Sequence, residues 1–330
     1  MKATIKDVAK HAGVGVGTVS RVINGVRVKE STLSKVTQSI QALGYEPDIY
    51  ARGMKTNRSN TIALIVPTIW HPFFSEFGFH IEKELKYLGY KIFLCNSTGD
   101  PVVEDEYIQM IKQNKVDGII GITYTDIDKS VSSDIPFVSI DRHFTSKVAI
   151  VAADSKQGGE MAFTELNRRG CHHVAFIGTH QDKESETKNR RIYFEKSARA
   201  AGKKISILDF EEPLVDFEKQ VQIFFRDNPT IDGLFAINDF LAIDVMKELA
   251  KMGKKIPEDI QIIGFDGVKL SEEREYLLPT IRQPLDEMAK AAVKQVMSAI
   301  NGDRVEYKTI LPVTFIEGST TKNTYGINEE

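Results

Sequence analysis

From Thr61 to Asp266 the chain repeats one local pattern, a short continuous apolar run rich in Ile and Val, usually followed by a segment with helical spacing. The runs are TIALIVP, YKIFLCN, DGIIGI, PFVSID, HHVAFIG, DGLFAIN and DIQIIGFD. Each falls far short of the ~18 apolar residues of a membrane span and lacks the alternation of a strand with one wet face. Between most of them apolar residues recur three and four apart, as in Phe74, Phe77, Ile81, Leu85 and Leu88, which marks one face of a helix. Strands buried on both faces and alternating with helices build doubly wound parallel sheets. Seven or more strands over ~270 residues exceed a single core and predict two lobes.

Open α/β sheets bind ligands beyond the carboxyl ends of their strands, so the residues standing there are the candidate site. After the first run come Trp70, His71, Pro72, Phe73 and Phe74; after PFVSI come Asp141 and Arg142. After DGLFAI come Asn238 and Asp239, and after QIIGF comes Asp266; Arg190 opens a later helix and Gln283 lies in a segment crossing between the lobes. Aromatic faces combined with bidentate polar groups suit a small carbohydrate, whose C–H faces stack on rings while its hydroxyls meet carboxylate, amide and guanidinium. Asp266 and Asn238 also suit turns or helix caps. Trp70, the single tryptophan, fits either ligand stacking or a dimer interface.

Other chemistries find no support. His172 and His173 have no third or fourth ligand at suitable spacing, so no metal site is expected. No phosphate loop, nucleophile elbow or Cys–His signature appears, so neither catalysis nor a cofactor is expected. Cys95 and Cys171 are far apart and read as reduced thiols. The start MKATIKDVAKH has no hydrophobic segment for export, which with the absence of a membrane span predicts a cytoplasmic protein.

The formal net charge of −3 taken whole opposes a nucleic-acid partner. Its distribution reverses that. Residues 1–58 hold ten Lys/Arg against four Asp/Glu, a net of +6, while the remainder holds 33 basic and 42 acidic residues, a net of −9. A small basic module joined to a large acidic one suggests nucleic acid at one end and another role for the body. Within the basic module Thr4 with Asp7 fits a capping box ahead of Ile5, Val8, Ala9 and Ala12, and Gly13 offers the stop. A second series, Val16, Val19, Val22 and Ile23, ends at Asn24-Gly25; a third, Leu33, Val36, Ile40 and Leu43, ends at Gly44. Small Ala9 and the Gly13 turn let the first two helices pack closely, which is the helix-turn-helix arrangement. The glycines between Gly13 and Gly17 follow a helix rather than a strand, so they are not a dinucleotide-binding motif.

The run TIKDVAKHAGVGVGTVSRVING, followed by YEPDIYARGMK, resembles the LacI/GalR family of bacterial transcription repressors. Ala-Gly-Val, Thr-Val-Ser-Arg and the Tyr-x-Pro…Ala-Arg hinge stand in family order and spacing, and the likeness extends over essentially the whole chain. It implies that Val16, Gly17 and Arg21 face base edges, with Arg21 able to bond guanine O6 and N7 together. Thr4, Thr18, Ser20, Asn24 and Tyr45 would position phosphates. The hinge would become a helix on operator binding, with Ala51 and Met54 inserted in the minor groove and Met54 as the apolar wedge. In the body, Asp141, Arg190, Asn238 and Asp266 match family effector positions, and Phe73 and Gln283 line the cleft. Three departures stand out. Gly15 and Lys29 replace helix-capping residues, and Gly267 replaces a frequent second Asp. Gly17 inside the second helix costs about 1 kcal/mol against Ala, so that helix is expected to fray when free.

The expected fold is therefore an N-terminal all-α helix-turn-helix headpiece plus an α/β two-lobed periplasmic-binding-protein-like domain of doubly wound parallel sheets. Its domains are a headpiece at 1–47, a hinge at 48–60 and a two-lobed effector-binding and dimerisation domain at 61–330. Lobe one takes about 61–155 plus a return segment near 284–305, and lobe two about 156–283 plus the C-terminal segment. The expected function is sequence-specific repression of a carbohydrate-utilisation operon. Its partners are a near-palindromic double-stranded DNA operator, a small sugar or sugar-phosphate effector and a second copy of the chain; no membrane is involved. The tail STTKNTYGINEE carries no leucine repeat, which favours a dimer over a tetramer. CNSTGDP and SIDRHF…VAADSKQGG stand closest to sucrose- or fructoside-operon regulators. A purine or a phosphoprotein corepressor remains an alternative, as does the direction of the ligand's effect. A sugar receptor without a DNA role is opposed by the basic module, and a sugar-metabolising enzyme by the missing acid/base pair and nucleophile.

Overall fold

The computed structural model describes residues 3–23, 25–45, 58–113, 116–128, 130–131, 135–145, 147–180, 184–211 and 214–322. They fall into two compact units, residues 1–60 and 61–330. Asn24, Ala51, Met54 and most of the expected hinge lie outside the described residues.

The first unit contains α1 (Ile5–Ala12), α2 (Val16–Ile23) and α3 (Glu30–Ala42). The capping box at α1 is complete. The Asp7 amide donates to Thr4 Oγ1 at 3.4 Å, and the Thr4 amide donates to Asp7 Oδ2 at 2.9 Å. The hydroxyl and amide of Thr4 hold the Asp7 carboxyl below its usual range. Gly13 ends α1 at φ 64°, in the left-handed region open to glycine. Before α2 the carbonyl of Gly15 accepts from Thr18 and Val19, so the cap position is filled without a side chain. Lys29 likewise makes no side-chain cap at α3. Val8, Ala9, Val19 and Val36 form the buried centre, one short apolar stripe from each helix.

The second unit is two six-stranded sheets with helices on their faces. Sheet one, in order, is β11 (Lys308–Leu311), β5 (Ala149–Ala153), β4 (Phe137–Ile140), β3 (Gly118–Gly121), β1 (Thr61–Val66) and β2 (Lys91–Asn96), all parallel. Sheet two is β12 (Thr314–Ile316), β10 (Thr280–Arg282), β9 (Gln261–Asp266), β8 (Gly233–Ala236), β6 (His173–His180) and β7 (Lys204–Glu211). In sheet two only the β10–β12 pairing is antiparallel. The helices are α4 (Pro72–Tyr87), α5 (Pro101–Gln113), α6 (Ser155–Arg168), α7 (Lys188–Ala200), α8 (Phe217–Asp227), α9 (Asp239–Lys251) and α10 (Leu285–Asn301). The chain crosses between sheets after β5, after β10 and after β11. Helix α10 returns to sheet one and packs on β3, β4, β5 and α4.

The seven apolar runs all contain strands of the two sheets, and β1, β3, β4, β8 and β9 are almost wholly buried. Five further strands escaped that pattern. β7 is half-exposed along most of its length, β5 consists mainly of alanine, and β10, β11 and β12 have three or four residues each. No helix among the described residues is long and apolar enough to cross a membrane.

Candidate functional site

The carboxyl ends of the two sheets face a shared cleft of about 700 Å³. Six residues expected there line it: Phe73, Asp141, Arg190, Asn238, Asp266 and Gln283. Asp141 follows β4 with φ 63° and Asp266 ends β9 with φ 113°. Both adopt backbone that L-residues rarely do, which is common where a site fixes a side chain. Gln283 donates to Asp266 Oδ1 at 2.8 Å. Arg190 donates to the Ile237 carbonyl at 2.8 Å, stands 3.5 Å from Asp266 Oδ1, and lies over the Phe265 ring at 3.6 Å. Its place on α7 is set by Gly159 of α6, where a Cβ would stand 2.9 Å from the Phe194 amide nitrogen and closer still to the Arg190 carbonyl. Asn238 is both a cap and a lining residue. Its Oδ1 accepts from the Leu241 amide at 2.8 Å, leaving its amide N–H groups for a ligand.

The electrostatics follow from burial. Burial pushes Asp141 up to about 6 against the pull of Arg190, and Asp266 up to about 6 against Arg190 and Gln283. Asp141 Oδ1, Gln283 Oε1 and Arg190 Nε are buried with no hydrogen-bond partner. Orphaned groups in a buried site ask for a ligand.

Three expected cleft residues are not brought there. Trp70 is 91% exposed on the surface and lines no part of the cleft; the neighbouring ring that does is His71. Arg142 turns the opposite way from Asp141 and is 1% exposed. Its guanidinium bonds the Thr125 carbonyl, meets Thr123 Oγ1 at 3.4 Å and pairs with Asp128 at 2.9 Å, fixing the loop after β3. Asp239, the first residue of α9, is fully buried and accepts from the Val268 amide at 2.6 Å, tying down the turn after β9. The family's usual Asp at 267 has no room, since Gly267 stands at φ 77° with its Cβ position 2.9 Å from Arg282 Cα.

His71 and Phe74 of the run after β1 also line the cleft, together with residues that the sequence did not point to. His71 caps α4 by accepting from the Phe73 amide at 3.2 Å, and its ring meets Phe240 of the other lobe at 4.5 Å. Burial lowers His71 to about 4, so the imidazole is neutral. Thr98 and Gly99 follow β2, and Tyr124 and Thr125 follow β3. The strand-end rule finds these positions, but two threonines, a glycine and a tyrosine a few residues past their strands carry no charge or amide to mark them as a site. Ser185 belongs to a strap in which the Glu186 amide donates to the Asp141 carbonyl at 2.8 Å and the His143 amide to Glu184 at 3.0 Å. The Glu186 carboxylate is buried, yet Lys308 at 2.7 Å and His143 at 2.8 Å hold it below the usual range. His173 is held between Thr230 at 2.7 Å and Ser206 at 2.9 Å, a core histidine with both ring nitrogens engaged.

On the first unit, Val16, Gly17 and Arg21 stand exposed along α2 while Val19 points into the core. Thr18, Ser20 and Tyr45 are half-buried. The Thr4 hydroxyl donates to Asp7 Oδ2 at 2.7 Å, so any phosphate contact from Thr4 competes with its own cap.

A basic three-helix unit with an exposed second helix, joined to a two-sheet body with a polar inter-lobe cleft, defines a ligand-binding regulator of the helix-turn-helix class. The lacI family of bacterial regulatory proteins matches residues 4–48, and the periplasmic binding protein-like domain matches residues 163–321. The sucrose operon repressor of Streptococcus mutans is 35% identical, covering 97% of this chain and 100% of its own length. The ribose operon repressor of Halalkalibacterium halodurans is 33% identical over 99% of both chains. A solved periplasmic binding protein/LacI transcriptional regulator from Alkaliphilus metalliredigens, complexed with D-xylulofuranose, is 32% identical. It superposes with a TM-score of 0.71 over 80% of this chain and 100% of its own. The lac repressor dimer bound to operator and the anti-inducer ONPF reaches a TM-score of 0.85 over 98% of this chain and 100% of its own, at 19% identity, which speaks for the fold. The chain belongs to the LacI/GalR family of bacterial transcription repressors.

Proposed function

We propose that the protein is a sequence-specific DNA-binding repressor of a carbohydrate-utilisation operon, controlled by a small sugar bound between its lobes. The observation that carries the ligand half is the cleft floor, where Asp141, Gln283 and Arg190 leave two acceptors and one donor buried without partners. The relatives named for sucrose and ribose operons agree with it. The DNA half rests on the exposed Val16, Gly17 and Arg21 of α2, with Thr18, Ser20 and Tyr45 as phosphate contacts. Two copies would read the two halves of a near-palindromic operator, as two-fold symmetry requires. Sugar binding favours one arrangement of the lobes and thereby shifts operator affinity. The protein acts in the cytoplasm and performs no reaction on its ligand.

The test is operator selection from random duplexes, followed by gel shifts with and without sugars. The expected result is a near-palindromic site whose affinity a sugar changes severalfold. Arg21→Ala should cost about 1–3 kcal/mol and relax preference at one base per half-site. Binding that ignores sequence, or turnover of a bound sugar, contradicts the reading.

A further inference from the structure

We propose that Glu186 is an ionic latch between the lobes: Lys308 and His143 of one lobe grip its carboxylate on the other and hold a wall of the cleft in place before any ligand enters. The significance of the latch rests on the regulatory reading above. Its test needs no ligand, so a failure of the sugar reading cannot be mistaken for a failure of the latch.

Glu186 stands on the strap between β6 and α7, in the lobe of sheet two. Its two carboxylate oxygens divide their partners between the lobes. Oε1 accepts from Lys308 Nζ at 2.7 Å and meets His143 Nε2 at 2.8 Å, both from the lobe of sheet one. Oε2 accepts from the Asn189 side-chain amide of its own lobe at 2.9 Å. The Glu186 side chain is 10% exposed, against 55% for Lys308 and 36% for His143. The arrangement is asymmetric: losing a partner strands a buried charge, while the partner itself returns to water. Burial alone would raise Glu186, yet Lys308 and His143 hold it below the usual range. The carboxylate is therefore ionised at neutral pH, and the attraction across the lobes is present there.

The backbone makes a second, weaker junction at the same place. Arg142 and Ser185 form an antiparallel bridge, the Glu186 amide donates to the Asp141 carbonyl at 2.8 Å, and the His143 amide donates to the Glu184 carbonyl at 3.0 Å. Even a complete two-stranded hairpin is marginal in water, so a pairing this short needs the charges beside it. None of Glu186, His143 and Lys308 lines the cleft, whereas Ser185, Thr187, Lys188 and Arg190 beside Glu186 do. Opening the latch thus withdraws one wall of the cleft without altering a group that meets a ligand. Because the latch is built from the chain's own groups, a ligand finds that wall already placed, and binding is not weakened by a large open population.

The test is amide hydrogen exchange of the full chain without sugar, read by mass spectrometry at the His143 and Glu186 amides. The Ile150 and Asp154 amides, which donate to Tyr307 and Leu311 across the β5–β11 pairing, report whether β11 itself stays intact. In the unchanged chain the His143 and Glu186 amides should be protected. Lys308→Met removes the charge but keeps most of the apolar stem. It should speed exchange at both amides at least about fivefold, the weight of one partly buried ion pair, and leave Ile150 and Asp154 unchanged. Lys308→Arg keeps the charge and should restore protection. Unprotected His143 and Glu186 amides in the unchanged chain, rates unaltered by Lys308→Met, or an equal acceleration at Ile150 and Asp154 would each overturn the proposal.

Discussion

Gly159→Ala sets two effects of opposite sign against each other, and the structure decides between them. Gly159 lies within α6 (Ser155–Arg168), so alanine there gains about 1 kcal/mol of helix propensity. The added methyl, however, would stand 2.9 Å from the Phe194 amide nitrogen and closer to the Arg190 carbonyl oxygen. Both are backbone atoms of the first two turns of α7, with no rotamer to change. Ordinary contact lies near 3.5–4.0 Å, so the two helices must part by about 1 Å. Overpacking of this kind costs about 1–3 kcal/mol, and rigid partners place it at the upper end. The net is a loss of about 2 kcal/mol, or about 4–8 °C in the melting temperature of a domain this size. Parting α6 from α7 also carries Arg190 away from Ile237 and Asp266, so sugar affinity should fall about tenfold. Thermal unfolding of the full chain, paired with calorimetric titration of the sugar it binds, measures both. A melting temperature that rises with sugar affinity unchanged would refute the close-packing argument.

Other outcomes follow from the same geometry. Burial raises Asp141 and Asp266 to about 6, so affinity for a neutral sugar should weaken as pH falls through about 6 and these acceptors protonate; Asp141→Asn should flatten the profile. Without ligand the sign reverses for stability: folded carboxyls that titrate above their unfolded values contribute stability below pH ~4, and this is lost as pH rises through about 6. Arg142→Ala should cost about 3 kcal/mol in urea unfolding by stranding the loop after β3. Arg142→Lys should recover little of it, because one ammonium cannot reach Thr123, Thr125 and Asp128 together. Thr4→Ala should lower headpiece stability by about 1 kcal/mol, read as a shift in its own thermal transition.

Strands buried on both faces were legible in the sequence because each must be apolar at every position, and β1, β3, β4, β8 and β9 are such strands. β7 was not, because KISILDFE mixes charged and polar residues into its apolar positions. β2, also an edge strand and more exposed than expected of a buried strand, was read because IFLC is a continuous apolar run. β10 and β12 have only three residues each, and β11, as long as β3, is half-exposed and opens on Lys308, so none of them carries a buried apolar run. In the cleft, the strand-end rule found both carboxylates but overreached to their neighbours. The left-handed backbone at Asp141 turns the chain just past β4, and Arg142 then folds back onto Thr125 and Asp128 instead of facing the cleft. Asn238 caps α9 from the cleft side, while Asp239 enters the helix and is buried under the turn after β9. The choice between His71 and Trp70 depended on the bend before α4, which is a tertiary feature.

The three crossings between sheets impose an order on biosynthesis. β1 through β5 leave the ribosome first, yet their sheet lacks its edge strand β11 and the covering helix α10 until Leu311 has been made. The second sheet needs only β12, which follows at once. The lobe begun first is therefore completed within a few residues of the lobe begun second. A nascent chain stopped anywhere before α10 exposes one apolar face of β3, β4 and β5, so the cell must shield that face until nearly the whole chain has been made.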